Sequence, residues 1–276
     1  MSPHSKKTAR TVCLTVLLAA AGGVVYKELG YGKKPPQPAL ELPRDMLFSP
    51  ERDTGPDCPA CMAQYKLEIA SPQPGERKNA VEELGGLCEA DQSAPLIEKT
   101  LGDRDASVKN AAAFALGRIK NAGSVGRLYS VATSDPDTEV RAAAVSALGR
   151  IGSPEAAEKL CALLAQPDTE LKLLSLYALA TVKEPAALKP ALAALASPAT
   201  AEAAASALAS MDLPGTAEAA APLLNAADPV VREAAHDVIE WLILQKSAEA
   251  ASAIRQNLAA LPQDLQTLAQ PYLAQF

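Results

Sequence analysis

The sequence predicts an all-α fold, a solenoid of about six stacked helix pairs, and three observations carry that prediction. The first is composition. Of 276 residues, 49% are hydrophobic but only 4% aromatic, and alanine alone makes up about a fifth. Strands of a large sandwich or barrel would want more β-branched and aromatic residues, whereas alanine is the best helix former and lets helices approach closely. The second is repetition. The stretch from Ser107 to Ile119, SVKNAAAFALGRI, returns almost unchanged from Glu139 to Ile151 as EVRAAAVSALGRI. Weaker copies place the leucine-type position at Leu84, Leu116, Leu148, Leu179, Leu208 and Ile239, a period close to thirty residues. The third is the spacing of apolar residues inside each copy, which follows i, i+3, i+4, i+7, i+8, i+11, the stripe of an amphipathic helix.

Taken in order, the chain opens with Lys6, Lys7 and Arg10 ahead of an apolar run from Thr11 to Tyr26. A basic segment followed by an apolar stretch reads as an export signal. Ala19-Ala20-Ala21 offers a small-residue cleavage site, but the run continues past it through Val24 and Val25. That continuation favours an uncleaved anchor through residues 11–26, with Tyr26 and Lys27 at the interface. The positive-inside bias then places residues 1–10 on the cytoplasmic side and the rest across the membrane. Cys13 lies within the run and reads as an apolar residue of it.

Residues 27–75 change character. Pro35, Pro36, Pro38, Pro43, Pro50, Pro56, Pro59, Pro72 and Pro74 break any long helix, so this reads as a Pro-rich tether, with room for a short helix at 62–70. It contains Cys58-Pro59-Ala60-Cys61. In an oxidising compartment a structural disulfide between Cys58 and Cys61 is the expectation. A c-type haem site needs a histidine where Met62 stands, a zinc site needs a second pair of ligands, and no strand precedes the pair to make a thioredoxin-like motif.

The repeats occupy residues 76–276. Ahead of their first helices stand Asp105, Asp137, Asp168, Ser197 and Asp228, short side chains suited to capping free backbone N–H groups. Ser153-Pro154 then opens a second helix, through Ala157, Leu160, Cys161 and Leu164; Cys161, like Cys88, is expected to pack in the core. A single helix pair cannot bury its own stripe, so neighbours must bury it for one another. The first copy places Glu76, Asn79 and Glu83 where the others are apolar, as suits a capping repeat, and Leu265, Leu268, Tyr272 and Phe276 line a helix able to close the other end.

The motifs Asp137-x-x-Val140-Arg141 with Ala147-Leu148-Gly149-Arg150-Ile151, and Asp105-x-x-Val108-Lys109 with Ala115-Leu116-Gly117-Arg118-Ile119, resemble HEAT repeats, in the short subtype named after phycobilisome lyases. The resemblance covers about two-thirds of the chain and implies an armadillo-type superhelix acting as a binding platform. Two enzyme groups share the repeat. Deoxyhypusine hydroxylases build a di-iron site from His-Glu pairs, and here His236 is followed by Asp237. Bilin lyases have no defined catalytic motif that maps onto these residues.

For function, the sequence shows no nucleophile–base pair, phosphate loop or metal cluster, so no catalytic residue, cofactor or metal is expected. Its two histidines are His4 and His236, and His236 reads as a solvated surface residue. Residues 1–75 hold 9 basic and 7 acidic side chains and the remainder 17 and 25, so an acidic main body argues against nucleic acid as partner. The ladder Lys109, Arg141, Lys172 and Arg232 reads as inter-repeat ion pairs rather than an anion-binding strip. On the first helices, the positions two, five and six after the leading apolar residue are expected to face solvent. In the middle repeats they carry Phe114, Val145, Leu173, Leu176 and Tyr177, an apolar patch for a protein partner or for the tether's own Leu47, Phe48, Tyr65, Leu67 and Ile69. The expectation is a non-enzymatic protein-interaction scaffold tethered to the periplasmic side of a bacterial inner membrane. The alternatives are a bilin-lyase-like enzyme or cofactor-protein assembly factor, and a soluble periplasmic protein if the signal is cleaved. The mature protein should retain residues 11–26. N-terminal sequencing that begins near Gly22 would overturn the anchor.

Overall fold

A computed structural model describes residues 58–87 and 90–276, and these contain fourteen α-helices and no strand. Residues 1–57, with the expected anchor and most of the expected tether, lie outside the described residues, as do Cys88 and the side chains of Cys58 and Cys61, and with them the expected disulfide. No helix among the described residues is long and apolar enough to cross a membrane.

Six helix pairs account for twelve of the helices. The first helices are α2 (Pro74–Leu87), α4 (Ala106–Arg118), α6 (Thr138–Ile151), α8 (Thr169–Val182), α10 (Ala201–Met211) and α12 (Pro229–Leu244). Their second helices are α3 (Ala90–Thr100), α5 (Val125–Ser134), α7 (Pro154–Leu164), α9 (Leu188–Leu195), the short α11 (Thr216–Ala220) and α13 (Ala248–Asn257). Each first helix packs on the next first helix and on second helices beside it, which gives two layers with the core between them. α1 (Cys58–Ile69) packs on α2 and α14 (Gln263–Leu273) on α12, so each end of the array carries an extra helix.

Helix starts follow the aspartates. Asp105, Asp137, Asp168 and Asp228 each accept hydrogen bonds from backbone N–H groups of the first turn, and Ser153 accepts one from Ala156. Ser197 does not cap. The first helix of the fifth repeat starts later, at Ala201 after Thr200, and the Thr200 hydroxyl donates to the Ala194 carbonyl (2.7 Å) instead. The chain leaves each first helix, from the second repeat on, through one left-handed residue: Lys120, Gly152, Lys183, Asp212 and Lys246. Hydrogen bonds tie the last repeat to α14 and to the fifth repeat. The Tyr272 hydroxyl donates to the Ser247 carbonyl and the Ser247 hydroxyl to Asp212, both at 2.6 Å. Burial pushes the Tyr272 phenol above its usual range.

The register of the stack is set where first helices meet. A Cβ placed on Gly85 would lie 2.7 Å from Ala115 Cβ, one on Gly117 2.9 Å from Ala147 Cα, and one on Gly149 2.9 Å from Ala178 Cβ. The repeated Ala-Leu-Gly thus has a division of labour. Alanine presses on the glycine of the preceding repeat, leucine fills the core, and glycine receives the alanine of the following repeat. Leu84, Leu116, Leu148, Leu179 and Leu208 are all fully buried.

One boundary differs from the sequence reading. Residues 58–69, expected in the tether, form α1. Tyr65 is 7% exposed, and Met62 and Ile69 pack against the core, while Leu67 is exposed. Of the apolar residues suggested as a cover for the middle repeats, Tyr65 and Ile69 instead pack at the first one, because a terminal helix pair needs its outer stripe buried as much as an inner one does, while Leu47 and Phe48 lie outside the described residues.

Glycine-to-alanine substitution should therefore change sign with position. At Gly117 the new Cβ meets backbone, and overpacking should destabilise the array by about 1–3 kcal/mol. At Gly126, in α5 with nothing within 4 Å, the same change should stabilise it by about 0.5–1 kcal/mol through helix propensity. Urea melts of both variants check the pair.

Candidate interaction face

The exposed strip of the array follows from helix geometry. Counted from each leading apolar residue (Val108, Val140, Leu171, Val231), positions four and eight lie in the core between the layers. Position seven faces the preceding repeat, as Ala115, Ala147 and Ala178 show, and position nine faces the following one, as Gly117 and Gly149 show. Position five stands one turn before position nine on the same side of the helix, so it too faces the following repeat. Val81, Ala113, Val145, Leu176, Ala205 and His236 hold it, and every one is buried. Positions two, six and ten remain for solvent.

This overturns part of the expected patch. Leu176 is 0% exposed and Val145 1%: they are core residues at the joints between repeats. A lone amphipathic helix would wet position five. A helix flanked on both sides buries it. Phe114 and Leu173 are partly exposed, and Tyr177 is 58% exposed. These three, with the exposed Arg150 and Thr181, make the uncovered face of the middle repeats. Arg150 reaches back one repeat and sets its guanidinium 4.7 Å from the centre of the Phe114 ring, an attraction between a cation and an aromatic face. Arg118, its counterpart, also reaches back one repeat, donating to the carbonyls of Gly85 (3.0 Å) and Glu82 (2.8 Å). Toward the C-terminal end the same rows turn acidic, with Glu202, Glu233 and Asp237.

Half of the basic ladder, Lys109 and Arg141, makes the expected ion pairs, whereas among the described residues Lys172 and Arg232 make none. Arg77, which the sequence reading left out, makes a forked pair with Asp103 at 2.7 and 2.8 Å. Lys109 pairs with Asp135 at 2.5 Å, and Arg141 lies 3.9 Å from Asp168 while donating to the Asp135 carbonyl. Arg232 donates to the carbonyls of Ala226 and Ala227. Arg77 was legible in principle, since it stands 32 residues before Lys109.

His236 is 7% exposed, not solvated, and its Nε2 lies 3.0 Å from Asp264 Oδ2 on α14. Cys161 is half-buried against the core, and burial raises its thiol pKa.

An array of stacked helix pairs with a layer of first helices in glycine–alanine contact defines an α-solenoid. Residues 93–180 match the family model of HEAT repeats. No curated protein sequence matches the chain. Among solved structures it is similar to the complex of CpcE and CpcF of phycocyanin lyase from Nostoc sp. PCC7120, with 20% identity, 83% of this chain and 98% of that one covered, and a TM-score of 0.47. It is also similar to human deoxyhypusine hydroxylase (18% identity, 68% and 85% covered, TM-score 0.39). A designed armadillo repeat protein gives 18% identity, 77% and 98% covered, and a TM-score of 0.36.

The ladder sets a pH dependence. Hydrogen bonds from Arg77 hold the Asp103 carboxyl below its usual value, against the opposing effect of burial. A carboxyl depressed on folding contributes stability above its unfolded pKa and loses it as pH falls through the folded value. Melting temperature should fall below about pH 4, and Asp103→Asn should lose less between pH 4 and 2 than the parent chain. Thermal melts across that range read the difference.

Proposed function

We propose that the chain is a non-enzymatic protein-interaction scaffold, held by residues 11–26 on the exported side of a bacterial inner membrane. The observation that carries the scaffold reading is the uncovered strip of the middle repeats, where Tyr177 and Leu173 stand in the open beside the Arg150–Phe114 pair. Elsewhere these rows hold Lys78, Glu82, Glu202 and Glu233. An exposed aromatic and an arginine stacked on a second ring are the side chains that dominate binding energy at protein interfaces. The membrane part of the reading rests on the basic residues and apolar run at the start of the sequence.

Burial separates two kinds of variant. Leu173→Glu with Tyr177→Glu should abolish co-purification of a partner from detergent-solubilised membranes and leave the melting temperature within about 2 °C of the parent, because surface changes cost little. Leu176→Glu should instead unfold the middle repeats, because it buries a charge with no partner. A double variant that still co-purifies the partner would overturn the interface.

A further inference from the structure

The row that faces the following repeat is apolar or small in five repeats: Val81 and Gly85, Ala113 and Gly117, Val145 and Gly149, Leu176 and Ala180, Ala205 and Ala209. In the sixth it becomes His236 and Glu240, and Asp237 stands beside them on α12. His236 Nδ1 lies 3.6 Å from Glu240 Oε2 and 3.9 Å from Asp237 Oδ1. One ligand atom from each of the three residues fits within 4.8 Å of the others. The far side of the ring is held from another helix, with Nε2 at 3.0 Å from Asp264 Oδ2. An ionised carboxylate only accepts, so the proton of a neutral ring sits on Nε2 and the Nδ1 lone pair points toward Glu240 and Asp237. Among the described residues, no lysine or arginine comes within ion-pair distance of Asp237 or Glu240.

The geometry points to a divalent metal site on α12, with His236 Nδ1, Asp237 and Glu240 as ligands and Asp264 as the positioning residue of the imidazole. With the ring neutral, three electron-pair donors converge on one point, and a bound cation takes the place of the second ring proton that would otherwise pair with the two carboxylates. A carboxylate behind the second ring nitrogen is the arrangement that fixes tautomer and orientation in histidine metal sites. Ligands bonded at about 2.0–2.2 Å stand roughly 3–4 Å from one another, so a modest inward movement of two side chains closes the site. One imidazole with two carboxylates suits zinc and its first-row neighbours, whereas calcium and magnesium take oxygen alone. A metal here would lock the α12 residues whose imidazole grips α14, at the joint where the array ends.

Equilibrium dialysis of the full chain against Zn²⁺ tests this, in a Cys58→Ser, Cys61→Ser background that removes the competing thiols of the CPAC motif. The expected result is one saturable Zn²⁺ per chain. Glu240→Gln and Asp237→Asn should each weaken it at least tenfold, and Asp264→Asn should weaken it by about 10–100-fold. Glu240 and Asp237 are only partly buried, so both ligand variants should fold, with circular dichroism as the check. The Co²⁺-loaded protein should show no thiolate charge-transfer band. The site is overturned by absence of saturable Zn²⁺ binding below about 100 µM, by unchanged affinity in both ligand variants, by a thiolate band, or by preference for Ca²⁺ over Zn²⁺.

Discussion

Everything in the array depends on how closely neighbouring first helices approach. At Gly85, Gly117 and Gly149 there is no room for a methyl group against the alanine of the next repeat. That contact fixes where each helix crosses the next, which in turn fixes which rows are joints, which are core and which are open. With the crossing set, the leucine one residue before each glycine falls into the core, and the arginine after Gly117 and after Gly149 reaches back one repeat. The packing is nearest-neighbour throughout, so the first three joints follow from one contact repeated.

The later joints are built differently. Ala180 and Ala209 stand where glycine stood, and Glu240 closes the series. At the final joint the neighbour is no longer a repeat but α14. Polar and ionisable groups are tolerated there because they find partners across the joint, as His236 does in Asp264 and the Tyr272 hydroxyl in the Ser247 carbonyl.

Much of this was legible in the sequence. Period, helix starts at Asp105, Asp137, Asp168 and Asp228, core leucines and the ion pairs of Lys109 and Arg141 are local or strictly periodic properties, and periodicity shows them directly. Three things were not legible, each for a physical reason. Val145 and Leu176 read as surface because the angular argument treats a helix as covered on one side, and a helix inside a solenoid is covered on three. A short helix was expected at 62–70, but not the packing of α1, because prolines dominate its surroundings and its burial comes from α2, a neighbour that only the fold supplies. His236 read as solvated because a charge-capable residue at a joint is expected only once a partner such as Asp264, 28 residues away, is known to be opposite.

The left-handed residues that end the first helices have a consequence of their own. Gly152 suits that backbone, but Lys120, Lys183 and Lys246 do not, and each such residue costs about 1–2 kcal/mol in isolation. A short peptide with Lys120 or Lys183 at that corner would choose another bend. The turn is therefore imposed by the layers that it joins rather than written into its own residues. A single helix pair cut from the chain has no reason to make it, so the smallest piece able to hold this corner is a pair together with a neighbour. Ordering then spreads outward from wherever two pairs first meet.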